Sequence, residues 1–170
     1  MKYLEKFELQ KLLEVAKETS PIDYLFILLT FNHGLRVSET ISLTADNFKG
    51  DCLVIQRLKG SCRTDQPLLP NEAELLKTVT PGASGRYFPF DRTTAWRHMK
   101  RIGTLAGIDP RRCFCHALKH TTAMMGLEGG MKINELQKYL GHRSGQSTMK
   151  YLEVSEEKAS KAFAAAVGGL

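Results

Sequence analysis

One short segment, residues 21–33, is apolar almost all the way round a helix. Its sequence, PIDYLFILLTFNH, puts large apolar side chains on nearly every face, and Gly34 ends it. A helix of this kind has to be covered on all sides by other parts of the chain. With 170 residues, the chain has room for one compact domain to do so. We therefore predict a single, mainly helical domain built around this segment.

The flanking sequence has the spacing of shorter helices, with one exception. The predicted additional helices are 6–17, 35–43, 72–79, 91–106, 116–127, 132–140, 146–152 and 156–167. Residues 52–57 and 64–69 instead have short β-type runs, with Lys59-Gly60-Ser61 as the turn between them. The sequence therefore predicts a mainly α fold with a small antiparallel β-sheet, of the α+β class.

The positive charge of the chain is concentrated in one stretch. Residues 86–119 contain eight Lys or Arg residues against two acids, which accounts for the whole formal net charge of +6. Lys and Arg displace the counterions condensed on phosphates, so the stretch favours a polyanionic partner, although a solvated helix face is the alternative. The candidate DNA-binding residues are Arg86, Arg92, Arg97, Lys100, Arg101, Arg111, Arg112 and Arg143.

No part of the sequence indicates export or membrane insertion. The longest apolar run, residues 24–31, is far shorter than the roughly 18–20 residues that span a bilayer, and the N-terminus lacks the apolar core of a signal peptide. We predict a cytoplasmic protein with no membrane partner. In that compartment the four cysteines, Cys52, Cys62, Cys113 and Cys115, are expected to be reduced.

Three short blocks carry the chemistry. They are Gly34-Leu35-Arg36-Val37-Ser38-Glu39, then His116-Ala117-Leu118-Lys119-His120-Thr121, then Leu140-Gly141-His142 with a tyrosine nine residues further on, Tyr151. In this order and spacing, together with the hairpin lysine, they resemble the signature of the tyrosine recombinases, the phage-integrase family of site-specific DNA strand-transfer enzymes. The resemblance spans nearly the whole chain.

The resemblance implies a fold, an activity and partners. The fold is the DNA breaking-rejoining catalytic domain, over residues 1–170, and the N-terminal core-binding domain of the family is expected to be absent from this chain. The activity is cleavage and rejoining of double-stranded DNA without metal or nucleotide cofactor. Family members act as four protomers on two paired duplexes, so we expect a homotetramer on DNA and a monomer when free.

The resemblance also assigns roles to the first group of residues. Arg36 matches the arginine that holds a nonbridging phosphate oxygen, for which a guanidinium fork is suited. Glu39, on the same helical face, matches an acid that steadies the site, although an isolated Arg-x-x-Glu pair is usually a surface ion pair. Lys59 matches the lysine that protonates the leaving 5′-oxygen, but its neighbours Arg57 and Arg63 make this assignment the weakest.

The second group surrounds the nucleophile. By position Tyr151 is the tyrosine that attacks the scissile phosphate to give a 3′-phosphotyrosyl link. His116 and His142 match the two histidines that donate to phosphate oxygens and assist proton transfer around the tyrosine. His120, one helical turn after His116, also follows the family pattern, and its expected role is packing or support of the site.

Lys119 departs from the family pattern. Most members have arginine at this position, 23 residues before His142. Lysine keeps the charge but loses the bidentate fork, so we expect a slower enzyme, with a degenerate DNA-binding relative as the alternative. Arg111 and Arg112 are candidates to compensate.

Two other chemistries are weighed against this assignment. A zinc site built from His116, His120, Cys113 and Cys115 is disfavoured, because a zinc-protease helix needs Glu where this chain has Ala117 and C-x-C-H is an uncommon zinc spacing. Type IB topoisomerases share the tyrosine chemistry, but the small size and the G-L-R-x-S-E block favour integrases.

Overall fold

The computed structural model describes residues 1–57 and 61–167 and confirms the mainly helical class. The helices are α1 (Lys6–Thr19), α2 (Pro21–Asn32), α3 (Val37–Ile41), α4 (Pro70–Thr78), α5 (Arg92–Leu105), α6 (Cys115–Glu128), α7 (Ile133–Tyr139) and α8 (Gln146–Val167). The predicted helices before residue 146 are all present, with ends that shift by a few residues. Lys59 lies outside the described residues.

Helix α2 is the centre of the main core, as its sequence predicts. The run from residue 25 to residue 30 is buried without interruption, and α1, α4 and α6 pack around it. The helix begins with Ser20, whose side chain accepts a hydrogen bond from the backbone of Asp23, followed by Pro21 at the first helical position. A second, smaller apolar cluster, which includes Leu136, Leu140 and Tyr151, joins α6, α7 and α8.

The sheet contains one more strand than predicted. The predicted hairpin is β2 (Cys52–Ile55) paired antiparallel with β3 (Thr64–Pro67), and β1 (Phe48–Lys49) adds to the free edge of β2. The sequence analysis missed β1 because two residues are too few to show an alternating pattern. Beyond the hairpin, Ser61 forms an isolated bridge with His142, which attaches the hairpin to the loop after α7.

The prediction of two separate helices at the C-terminus is wrong. Residues 146–152 and 156–167 belong to one continuous helix, α8. The residues between them include no glycine or proline, and Val154 packs against the second apolar cluster, so nothing interrupts the helix. Among the helices of the described ranges, none is long and apolar enough to cross a membrane.

Candidate active site

The predicted site residues come from four parts of the fold. Arg36 lies just before α3, His116, Lys119 and His120 lie along α6, His142 follows α7, and Tyr151 lies in α8. Ser61 accepts a hydrogen bond from Arg36 and forms a backbone bridge with His142. Lys119 donates to the carbonyl of Gly34 in the turn before Arg36, and His120 is hydrogen-bonded to Tyr151. The fold therefore brings these sequence blocks to one place.

Arg36 is held in place by Glu39. The backbone nitrogen of Arg36 donates to Glu39 at 2.8 Å, and its guanidinium donates to the same carboxylate at 2.8 Å. The other arm of the guanidinium donates to Ser61 of the hairpin at 3.1 Å. Glu39 is buried, whereas the side chain of Arg36 keeps 32% exposure. The pair therefore aims a fixed, solvent-accessible guanidinium outward, which is the arrangement that binds a phosphate.

Tyr151 is enclosed by the protein. Its side chain is buried, and this desolvation raises its pKa to about 12. Its hydroxyl shares a hydrogen bond of 3.0 Å with Nδ1 of His120. The ammonium of Lys150 lies 5.2 Å from the centre of the tyrosine ring. The hydroxyl is consequently protonated, and the hydrogen bond to His120 orients it.

The structure gives His120 a more specific place than packing support. Among the described residues, His120 rather than His116 or His142 is the histidine hydrogen-bonded to Tyr151. Desolvation lowers the pKa of His120 to about 3, so the ring is neutral. His116 packs edge-on against it, with ring centres 4.5 Å apart, and its own pKa is lowered by desolvation and by Lys119.

His142 is positioned by the turn that precedes it. Its Nδ1 shares a hydrogen bond of 2.9 Å with Thr148, and desolvation followed by the charge of Lys119 lowers its pKa to about 4. Gly141 has φ of +67°, and a Cβ there would lie 2.7 Å from the carbonyl oxygen of Cys62. The two segments lie close together because the backbone N–H of Cys62 donates a hydrogen bond of 2.8 Å to the carbonyl oxygen of Gly141. Only glycine fits this contact with the hairpin.

Lys119 is a buried lysine at the base of the site. Its ammonium donates to the carbonyl oxygen of Gly34 at 2.7 Å, and the side chain is almost fully enclosed. Desolvation, followed by the charge of Arg57, lowers its pKa to about 7, while Glu39 acts in the opposite direction. Lys119 is thus close to half-protonated at neutral pH, unlike the arginine that it replaces in the family pattern.

Arg57 is the residue that the sequence analysis failed to assign. Its side chain is fully buried and donates to Glu39 at 3.1 Å and to the same Gly34 carbonyl that Lys119 binds, at 3.2 Å. The one available signal was a charged residue at the end of an apolar strand. Arg111 and Arg112, the candidates to compensate for Lys119, are engaged elsewhere.

Several predicted DNA-binding residues form intramolecular pairs. Arg111 pairs with Asp109 at 2.8 Å, and Arg101 pairs with Asp23 at 3.0 Å. Arg112 reaches back to the N-terminal segment, where it donates to Glu8 at 2.9 Å and to the Tyr3 carbonyl at 2.7 Å. Its half-buried side chain therefore fastens that segment to the loop before α6.

The remaining basic residues are more open. Arg86, Arg92, Arg97 and Arg143 are exposed, and Lys100 lies 5.7 Å from the ring centre of Trp96. A groove of about 590 Å³ beside His116 is lined by Arg92, Trp96 and Phe114. A cationic and aromatic surface therefore extends from the site along the start of α5.

Cys113 and Cys115 are both buried, and this desolvation raises the pKa of each thiol to about 11. Within residues 1–57 and 61–167, no group of three His, Cys, Asp or Glu side chains is arranged to hold a metal ion. All four cysteines are free.

The fold and the site together define a class of protein: a helical domain that gathers cations and histidines around an enclosed tyrosine. The sequence profile of the phage integrase family matches residues 2–158. The chain belongs to this family, as its motifs indicated.

Known relatives agree with this assignment. The chain is 31% identical over 175 residues to the tyrosine recombinase XerA of Pyrococcus furiosus, an alignment that covers 95% of this chain and 60% of that protein. The crystal structure of a XerA recombinase superposes with a TM-score of 0.81 at 22% identity, covering 97% of this chain and 65% of the other. The XerH recombinase bound to its palindromic difH substrate, in a post-cleavage complex, gives a TM-score of 0.79 at 20% identity over 96% of this chain and 52% of the other. These superpositions confirm the recombinase fold, and the chain spans about 60% of the length of the XerA relative.

Proposed function

We propose that these residues form the catalytic domain of a site-specific DNA recombinase that cleaves and rejoins strands through Tyr151. The observation that carries the proposal is the convergence of four separated sequence blocks on one tyrosine. Ser61 joins Arg36, in the turn before α3, to His142 after α7, while α6 binds the same turn through Lys119 and binds Tyr151 of α8 through His120. This convergence supplies a nucleophile together with donors for phosphate oxygens.

In the proposed reaction the oxygen of Tyr151 forms a bond to the scissile phosphorus while the bond from phosphorus to the 5′-oxygen breaks. The phenolic proton passes to Nδ1 of His120, which lies 3.0 Å from the hydroxyl. The leaving 5′-oxygen gains a proton from the lysine, a role that the resemblance gives to Lys59. Arg36 and Lys119 neutralise the charge that develops on the nonbridging oxygens. The product is a 3′-phosphotyrosyl link and a free 5′-hydroxyl, and reversal of the same step rejoins the strand.

Trapping of the covalent intermediate tests this proposal. Fragmented genomic DNA from the source, carrying nicks, is incubated with the protein, denatured, and scored for protein-linked ends. A nick lets the free 5′ end diffuse away, so the adduct accumulates. We expect the adduct with the wild-type protein and none with Tyr151→Phe, and sequencing of the trapped ends then gives the site. Equal signals from both proteins would contradict the proposal.

A second candidate function is a DNA-binding module with blunted chemistry. The burial of Tyr151 and its raised pKa, together with lysine at position 119, favour this alternative. Both candidates predict DNA binding that weakens steeply as salt rises. They differ in the adduct: the module gives none, and Lys119→Arg restores it only if Lys119 is the damaged position.

We also propose double-stranded DNA as the partner, with a monomer in free solution and a homotetramer on paired sites, acting in the cytoplasm. The C-terminal half of α8 supports the assembly. Phe163 is 70% exposed and Val167 is 42% exposed, so this part of the helix offers apolar side chains to a neighbouring protomer. Lys158, which pairs with Glu128 at 2.7 Å, anchors the helix just before this point. Light scattering with and without DNA measures the oligomeric state. A dimer or tetramer without DNA would contradict the proposed free monomer.

A further inference from the structure

The guanidinium of Arg57 uses its full set of donors. Its Nε donates to Thr64 at 3.1 Å, and its two terminal nitrogens donate to four more oxygens. Those four acceptors are the carboxylate of Glu39 at 3.1 Å and the backbone carbonyls of Gly34 at 3.2 Å, His33 at 3.0 Å and Tyr139 at 3.2 Å. Arginine has five N–H donors, so each one is matched.

These acceptors belong to the segments that carry the candidate site. His33 and Gly34 form the turn that leads to Arg36, and Glu39 holds the Arg36 guanidinium. Tyr139 ends α7, two residues before Gly141, whose turn delivers His142. The contact extends to the aliphatic stem of Arg57, because a Cβ on Gly141 would lie 3.0 Å from Cγ of Arg57.

Arg57 cannot itself touch a phosphate, since its side chain has no exposed surface. We propose that Arg57 is a positioning residue that locks the Arg36 turn and the His142 turn in one fixed relation by binding both from beneath. This inference rests on the proposed recombinase function. It also places a guanidinium beside the lysine that replaces the family arginine, because Arg57 and Lys119 donate to the same carbonyl oxygen of Gly34.

The proposed positioning role of Arg57 requires the planar guanidinium group of arginine, which has donors on three nitrogens. A lysine at position 57 keeps the charge but has three donors on one atom, so it cannot reach both turns and Glu39 together. A glutamine is neutral and has two donors. The charge has a separate effect, because Arg57 lowers the pKa of Lys119. Arg57→Lys therefore removes the clamp alone, whereas Arg57→Gln removes the clamp and the charge.

The first test measures the rate of adduct formation at saturating and subsaturating DNA. For Arg57→Lys we expect a 10- to 100-fold lower rate at saturation, an unchanged half-saturating DNA concentration, and the wild-type pH profile. For Arg57→Gln we expect a similar loss and a decline with alkaline pH that starts at a higher pH. Arg63→Lys, an equivalent change on the exposed side of the same hairpin, is the matched control and should stay within twofold of wild type. A wild-type rate in Arg57→Lys would overturn the proposal, as would a shifted pH profile in that variant, because the loss would then be assigned to the charge of Lys119.

The second test does not depend on catalysis. Hydrogen exchange is measured by mass spectrometry on peptides that cover residues 33–40 and 139–143. We expect faster exchange in both peptides for Arg57→Lys, with Arg63→Lys at the wild-type rate. Unchanged exchange in either peptide would overturn the positioning role. If the wild-type protein gives no adduct, the proposed function fails, and this measurement still decides whether Arg57 joins the two turns.

Discussion

The buried ammonium of Lys119 predicts an unusual pH dependence of strand cleavage. Desolvation and the charge of Arg57 lower its pKa to about 7, whereas an arginine there stays charged at all accessible pH values. Only the protonated amine neutralises a phosphate oxygen. With a pKa of about 7, the protonated fraction falls from about three-quarters at pH 6.5 to about 3% at pH 8.5, which is roughly a 25-fold decrease.

The neighbouring groups that face Lys119 do not titrate in this way. Desolvation lowers the pKa of His142 to about 4 and raises that of Tyr151 to about 12. Both values lie outside the interval from pH 6.5 to pH 8.5. The pKa of His116 is also lowered, so its ring loses its proton at lower pH. The decrease between pH 6.5 and 8.5 is therefore assigned to Lys119.

The assay is the initial rate of adduct formation on nicked duplexes at subsaturating DNA and constant ionic strength. Under these conditions the rate reports the protonation state of the free protein. We expect the wild-type rate to fall about 25-fold from pH 6.5 to pH 8.5 and the Lys119→Arg rate to stay flat. A parallel decline in both proteins, or a flat wild-type profile, would refute the reasoning.

Three further substitutions have clear expected outcomes. Glu39→Gln leaves the buried Arg57 without its carboxylate, so we expect a loss of about 3–5 kcal/mol in the free energy of unfolding, measured by urea titration. Gly141→Ala puts a Cβ against the Cys62 carbonyl at φ of +67°, and a loss of about 1–3 kcal/mol with a slower adduct is expected; a wild-type melting curve would contradict the close contact. Tyr151→Phe removes one hydrogen bond, so the free energy of unfolding, measured by thermal denaturation, should fall by about 1 kcal/mol while the adduct disappears.

The sequence was sufficient where local pattern and family motif point the same way. The apolar helix α2 and the turn at Gly34 follow from periodicity and from the conformational freedom of glycine. The motif residues Arg36, His142 and Tyr151 converge as the resemblance implied. Long-range geometry was not available from pattern: nothing local shows that Arg57 turns inward.

Helix α8 is a second case in which the local sequence pattern was insufficient. Residues 153–155 contain no glycine or proline, yet the sequence analysis predicts separate helices on either side of them. The structure continues α8 through them because Val154 packs on the second apolar cluster. Tertiary packing therefore decides whether a weak local signal becomes a break.

The arrangement of charges explains why a lysine is tolerated at position 119. Arg36 and Arg57 both bind Glu39, so this carboxylate already faces two permanent cations before Lys119 is counted. Desolvation and the charge of Arg57 disfavour a third buried cation beside them. Lys119 avoids this cost because it can release its proton, and the Gly34 carbonyl still accepts a hydrogen bond from the neutral amine. A bound phosphate brings the missing negative charge and favours the protonated form. The site therefore acquires its full positive charge as it binds the backbone that it is proposed to cut.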